Sequence, residues 1–387
     1  MSETGVLESA KATNPLKRLL DYGQSVWLDY IRRDLLTGGQ LKKMINDDGL
    51  RGMTSNPAIF EKAIGESSLY DDVLRSLARR TDLDTVGRYE QLAIRDIQDA
   101  ADLLRPVYDS SKCGDGYVSL EVSPYLARDT AKTIAEAQRL WKAVNRPNVM
   151  IKVPGTAEGI PAIKQLIGEG ININVTLLFA QEVYEQVANA YIEGLETLAA
   201  RGGNLHKTAS VASFFISRID TLIDSMLADK LKTATDPAQK ALLTSLQGRV
   251  AIANGKLTYQ RYEAIFSGSR WQALAAKGAQ TQRVLWASTS TKNPAYRDVM
   301  YVEELIGPDT VDTIPPATLE AFRDHGNLRA SLQEDVASAQ KVMDNLSAAG
   351  ISMQAVTTKL TDDGVKLFAD AFDKLLATVE KRTQGKN

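Results

Sequence analysis

The stretch "VMIKVPG", Val149 to Gly155, decides how this chain is read. Val149, Met150, Ile151 and Val153 form the short apolar run expected of a strand covered on both faces. Pro154 and Gly155 end the run and a helical pattern follows, so the segment reads as the start of a strand-then-helix unit. Lys152 stands in its middle. An ammonium inside a buried strand costs free energy unless something answers it, and the reading works outward from that cost.

Seven further segments share the pattern. They are "SVWLDYI" (25–31), "GLRGMTSNP" (49–57), "YVSLEVSP" (117–124), "ININVTLLF" (171–179), "HKTASVASFF" (206–215), "RVLWAST" (283–289) and "TVDTIP" (310–315). Helical patterns such as "ARDTAKTIAEAQRLWKAVN" separate them. Eight strands, nearly all followed by helices, predict an α/β fold of the closed (β/α)8 TIM-barrel type more than an open doubly wound sheet. Three regions exceed a minimal barrel: the helical stretch within 58–116, a helical insertion about 216–282, and C-terminal helices about 317–385. With no linker, repeat or low-complexity segment, the expectation is a single domain over 1–387.

Composition removes several classes of function. Lys and Arg total 46 against 48 Asp and Glu, a net charge of −2, so nothing attracts nucleic acid or an anionic membrane in general. One cysteine, Cys113, excludes an internal disulfide and a Cys-rich metal site. Two histidines, His206 and His325, leave little for a zinc site or a Ser-His-Asp triad, and both read as structural. Neither a Walker pattern nor a "GxGxxG" turn follows a strand. The N-terminal "MSETGVLESAKATNPLKRLLDYGQ" lacks the apolar core of a signal peptide, and no apolar run approaches membrane-spanning length. A soluble cytoplasmic protein is expected, with no metal and no organic cofactor.

The polar residues of the strands fall on one face, because strand side chains alternate. Tyr117, Ser119, Glu121 and Ser123 align, as do Asn172, Asn174 and Thr176; Lys152 sits with Met150; Gly52, Thr54 and Asn56 align; Asp29 shares a face with Ser25 and Trp27. Asn56, Glu121, Lys152 and Thr176 lie at or near the C-terminal ends of their strands, where barrel enzymes carry their catalytic groups. Burial favours the free amine of a lysine, and a free amine attacks a carbonyl to give a carbinolamine and then a Schiff base. The iminium is an electron sink that lets a neighbouring C–C bond break. Glu121 and Asp29 are placed to move the protons, and the Asn and Thr set to orient hydroxyls. Taken singly, each residue has a plainer reading: Lys152 as a lysine reaching solvent, Glu121 in an ion pair, "TSNPA" as an Asn-Pro turn.

At these residues the chain resembles the transaldolase family of Schiff-base aldolases. The resemblance rests on "GLRGMTSNPAIF", "VSLEVSP", "VMIKVPGTAEGI" and "GININVTLLFAQEVY", in matching order over roughly residues 20–320. It implies transfer of a dihydroxyacetone unit between sugar phosphates in the pentose phosphate pathway: sedoheptulose 7-phosphate and glyceraldehyde 3-phosphate give erythrose 4-phosphate and fructose 6-phosphate. It makes Lys152 the Schiff-base lysine and Asp29 an acid/base residue, with Glu121 and Thr176 holding a catalytic water. Asn56 and Asn174 become ligands of substrate hydroxyls, with Thr54 beside them. For the phosphate it implies Ser213, Phe215 and Arg218 of "SVASFFISRID". In "WASTSTKNPAY", Ser288 aligns, while the family's arginine two residues later is replaced by a cation displaced to Lys292. Asn172 receives no role. Two alternatives stand beside transfer: cleavage to free dihydroxyacetone, as in fructose-6-phosphate aldolases, and a barrel that binds sugar phosphate without turnover. The partners expected are small sugar phosphates, the protein being a monomer or a homo-oligomer.

Overall fold

In a computed structural model, which describes residues 14–384, eight parallel strands close into a barrel in chain order. They are β1 (Gln24–Asp29), β2 (Gly52–Thr54), β3 (Tyr117–Glu121), β4 (Val149–Pro154), β5 (Ile173–Leu178), β6 (Ser210–Phe215), β7 (Arg283–Ala287) and β8 (Thr310–Ile314). The ring closes where β1 pairs with β8, from Gln24 against Thr310 to Leu28 against Ile314. The (β/α)8 expectation is met strand for strand. The limits differ where caps act. The second strand shrinks to three residues because Asn56 caps the helix Pro57–Gly65, with Pro57 in its first turn. The sixth starts late because Asn204 caps a short turn over Leu205–Lys207. Much of the N-terminal segment read above falls in residues 1–13, outside those described. No helix among the described residues is long and apolar enough to cross a membrane.

The barrel interior is filled in layers. At its N-terminal end the Asp115 carboxylate accepts from Ser25 Oγ (2.6 Å), Trp27 Nε1 (3.1 Å) and Arg283 Nη2 (2.9 Å). Arg283 Nη1 also reaches Ser25 Oγ at 2.8 Å. Above this plug lies the Trp27 ring, which leaves room only for glycine opposite: a Cβ on Gly52 would sit 2.5 Å from the indole. Next, Asn174 lies between Ser119 (3.0 Å) and Ser213 (2.6 Å). The C-terminal end of the barrel is left to Asp29, Thr54, Glu121 and Lys152. Asn172 serves the strands themselves. Its Nδ2 donates to the carbonyls of Pro147 and Val149, and its Oδ1 accepts from Ala209 N–H.

Extra helices surround the minimal barrel. Between β2 and β3 run Pro57–Gly65, Asp71–Ala78 and Thr85–Ser110, and between β6 and β7 run Ser217–Thr233, Pro237–Leu246, Val250–Ser267 and Ser269–Ala275. The terminal helix Met353–Thr383 has 31 residues, a length of roughly 46 Å at 1.5 Å per residue. It packs on Pro57–Gly65, Asp71–Ala78, Thr85–Ser110 and Ser217–Thr233. It also touches β5, where the pairing with β6 shifts between Val175 and Leu178 and Leu177 takes φ +61°. That bulge brings Leu177 against Gly364, where a Cβ would lie 2.7 Å from Leu177 Cδ2.

Among the buried carboxyls outside the barrel lumen is that of Asp312. Asp312 follows the alternation of β8 to the face opposite Thr313, whose hydroxyl points inward to Thr54 Oγ1 at 2.7 Å. Thr289 Oγ1 donates to Asp312 Oδ1 at 2.9 Å, while Oδ2 is buried without a partner. Burial pushes its pKa up to about 8. The native state therefore holds this proton well above pH 4, where the unfolded chain releases it. Between those values the folded form binds more protons, so stability falls as pH rises through the window. Asp312→Asn, which mimics the protonated acid, should match wild type in melting temperature near pH 5. At pH 9 it should melt a few degrees higher (about 2 °C per kcal/mol). Parallel losses from pH 5 to 9 in both proteins would show that Asp312 is not the group responsible.

Candidate active site

Lys152 lies two residues before the end of β4, with its ammonium at the C-terminal mouth of the barrel. Nζ donates to the Ser55 carbonyl at 3.0 Å and to Glu121 Oε2 at 3.4 Å. The pair is interior: the two side chains are 7% and 8% exposed. β3 and β4 place it directly, since Glu121 and Lys152 are partners in the strand register. Glu121 backs onto an apolar cavity of about 220 Å³ lined by Val86, Tyr89, Leu120 and Phe372. Burial raises its pKa, against the lowering effect of the Lys152 charge and bond, and nearby Asp29 raises it further.

Asp29 ends β1 and accepts from Thr54 Oγ1 at 2.7 Å. Burial raises its pKa too; the Thr54 bond and the charges of Lys152, Arg218 and Lys292 pull it back. Two carboxyls of raised pKa thus share the field of one amine. A raised pKa makes each of them a better proton carrier than a solvated carboxylate. Thr176 Oγ1, on β5, is buried without a protein partner. Asn56 Oδ1 accepts from Ile59 N–H at 3.0 Å as a helix cap, which leaves its amide N–H groups for other partners.

The expected phosphate residues lie on β6, β7 and the segments that follow them. Phe215 ends β6, with its ring 5.3 Å from that of Phe179 and its face 5.0 Å from the Arg218 guanidinium. Arg218 Nη1 is buried without a partner, and burial lowers the arginine's pKa. Lys292 stands exposed at the rim with Nζ on Ser290 Oγ at 2.6 Å. Its pKa is lowered by partial desolvation and by the like charge of Arg218. Neither cation forms an ion pair among the described residues, so both keep their charge for an anion. Ser288, at φ +58°, lies 2.9 Å from Ser217 Oγ, and its carbonyl accepts from Ser217 N–H. Ser213 has its hydroxyl on Asn174 rather than turned toward Arg218.

Sequence reasoning missed the Ser55 carbonyl, because backbone acceptors carry no residue signature. It also missed Thr313, which shares its hydrogen bond with Thr54. Ser119 stood on the same face as Glu121 but was given no task; it holds Asn174. Phe368, from the terminal helix, lies with its ring 5.9 Å from Lys152 Nζ, and nothing in the barrel motifs points to it. A separate concavity of about 690 Å³ between Val250–Ser267 and Val336–Ala348 shares none of these residues.

The site's energetics rest on the buried pair. Removing one member leaves an uncompensated charge, which costs about 3–5 kcal/mol, whereas replacing both with neutral groups is close to neutral. Glu121→Gln and Lys152→Met should therefore each lower the melting temperature. The double variant should recover most of the loss. Additive losses would mean that the two side chains do not share one interaction.

Comparison with known proteins shows what the whole chain is similar to. The family model described as Transaldolase/Fructose-6-phosphate aldolase matches residues 26–379. A protein named transaldolase from Trichodesmium erythraeum is 48% identical over 374 residues, covering 96% of this chain and 98% of its own. Transaldolases named as such from Thiobacillus denitrificans and Thermobifida fusca are 47% and 45% identical. Each of those alignments covers 95% of this chain, with 99% and 98% of the respective relative.

Proposed function

The chain belongs to the transaldolase/fructose-6-phosphate aldolase family, and from that premise we propose that it is a transaldolase whose Schiff-base residue is Lys152. The observation that carries the reading is a buried amine within 3.4 Å of one carboxyl of raised pKa, with a second such carboxyl, Asp29, sharing its field.

The residues divide the work as follows. The Lys152 amine attacks the ketose carbonyl carbon, the oxygen leaves as water, and an iminium remains. Asp29 takes the proton from the substrate's C4 hydroxyl. The C3–C4 bond breaks, its electron pair moves into the iminium to give an enamine, and the aldose phosphate departs. An incoming aldose phosphate accepts the enamine carbon at its aldehyde, and Asp29 returns the proton to the new alkoxide. Glu121 and Thr176 hold the water that relays protons during formation and hydrolysis of the imine. Asn56 and Asn174 hold substrate hydroxyls, and Thr54 orients Asp29. Arg218 carries most of the phosphate's charge, braced by Phe215, with Lys292 and Ser288 at the rim; Ser213 acts by fixing Asn174. The substrates are small sugar phosphates, met in the cytoplasm, and the cycle needs no metal or organic cofactor.

A coupled assay with fructose 6-phosphate and erythrose 4-phosphate tests this. Wild type should form glyceraldehyde 3-phosphate, keep its rate in EDTA and release little free dihydroxyacetone. Lys152→Met should fall to background. Arg218→Met should raise KM for the ketose phosphate about 10- to 100-fold, as for a charge-assisted contact, and the exposed Lys292→Met only about threefold. Stoichiometric free dihydroxyacetone without acceptor would assign aldolase cleavage instead. Binding without product would leave a non-catalytic barrel, and an EDTA loss restored by zinc would overturn the metal-free mechanism.

A further inference from the structure

The terminal helix Met353–Thr383 reaches the reacting end of the barrel with one aromatic residue. Phe368 is almost fully buried, and its ring centre lies 5.9 Å from Lys152 Nζ and 5.9 Å from Arg218 Cζ. The Arg218 guanidinium is thus within reach of two rings, Phe368 and Phe215, the latter at 5.0 Å. The helix also meets its neighbours one turn to either side. Gly364 lies against Leu177, and Phe372 sets its ring edge-on to Tyr89 (5.8 Å) and Tyr125 (6.3 Å). Positions 364, 368 and 372 share one helical face, so the helix presents a single stripe to the barrel mouth.

We propose that Phe368 is a positioning residue for the anion site: it braces Arg218 and forms the apolar wall between that guanidinium and the Lys152 amine. A cation held by ring faces is fixed without being neutralised. A carboxylate in the same place would order Arg218 equally well but would compete with phosphate for its charge. One ring near both cations also sets the span of the substrate, since a chain with its carbonyl at Lys152 and its phosphate at Arg218 runs along Phe368. The wall comes from the far end of the chain, and it acts through this one ring rather than through packing of the helix as a whole. The link to turnover rests on the function proposed above; the bracing of Arg218 does not.

Two readouts separate these. The first is the affinity for inorganic phosphate by calorimetry, in wild type and in Phe368→Leu, Phe368→Tyr and Phe372→Leu. Phe368→Leu should weaken phosphate about tenfold, the size of a desolvated cation–π contact. Phe368→Tyr should restore binding, and Phe372→Leu, on the same helix but away from Arg218, should bind as wild type. The second readout is turnover of fructose 6-phosphate against unphosphorylated fructose. Phe368→Leu should raise KM about tenfold for the phosphorylated donor, with kcat within about threefold and little change for fructose. Unchanged phosphate affinity in Phe368→Leu, or an equal loss in Phe372→Leu, overturns the inference, the latter by showing that general helix packing is responsible. Wild type that binds phosphate and loses that binding in Phe368→Leu, yet turns over neither donor, would refute the transaldolase reading and leave the bracing role standing.

Discussion

A buried ammonium facing a buried carboxylate is the constraint on which the rest of this structure depends. Lys152 and Glu121 are neighbours in the β3–β4 register, so the barrel supplies their proximity without any loop having to order itself. Either charge alone in the interior would be uncompensated, and together they sit 3.4 Å apart. That leaves the pair responsive: a carbonyl substrate that consumes the amine changes the field on both Glu121 and Asp29. Reactivity here is a property of strand register and burial before it is a property of any one side chain.

The lower barrel makes this affordable. Asp115, Arg283, Ser25 and Trp27 close the N-terminal end with a hydrogen-bonded plug, and the Trp27–Gly52 contact fills the middle. The plug leaves the reactive groups to the C-terminal face, where the terminal helix also reaches through Phe368. The polar groups divide accordingly. Those in the plug and the Asn174 layer are bonded to one another, while those at the mouth, Thr176 Oγ1 and Arg218 Nη1, have no protein partner. Stability is concentrated at one end and available chemistry at the other.

Much of this was legible in the sequence, for physical reasons. Two-residue periodicity is short-range and direct, so the shared faces of Glu121, Lys152, Asn174 and Thr176 could be read with the strands that carry them. Strand limits were less legible, because caps decide them: Asn56 has the look of a site residue and also caps a helix, and both readings fit the same letters. Ser213 shows a similar ambiguity, since its motif does not say which way the hydroxyl turns. The terminal helix was the least legible part. Its amphipathic pattern states that one face is covered but not by what, and the approach of Phe368 to Lys152 depends on a glycine and a bulge in distant segments.

The central claim is that the amine of Lys152 carries the three-carbon unit. Borohydride reduction in the presence of fructose 6-phosphate, followed by intact mass and peptide mapping, tests it most directly. The account predicts one reduced dihydroxyacetone adduct per chain, on the peptide containing Lys152, and none in Lys152→Met. An adduct on another lysine, or no adduct in an active wild-type enzyme, would contradict it.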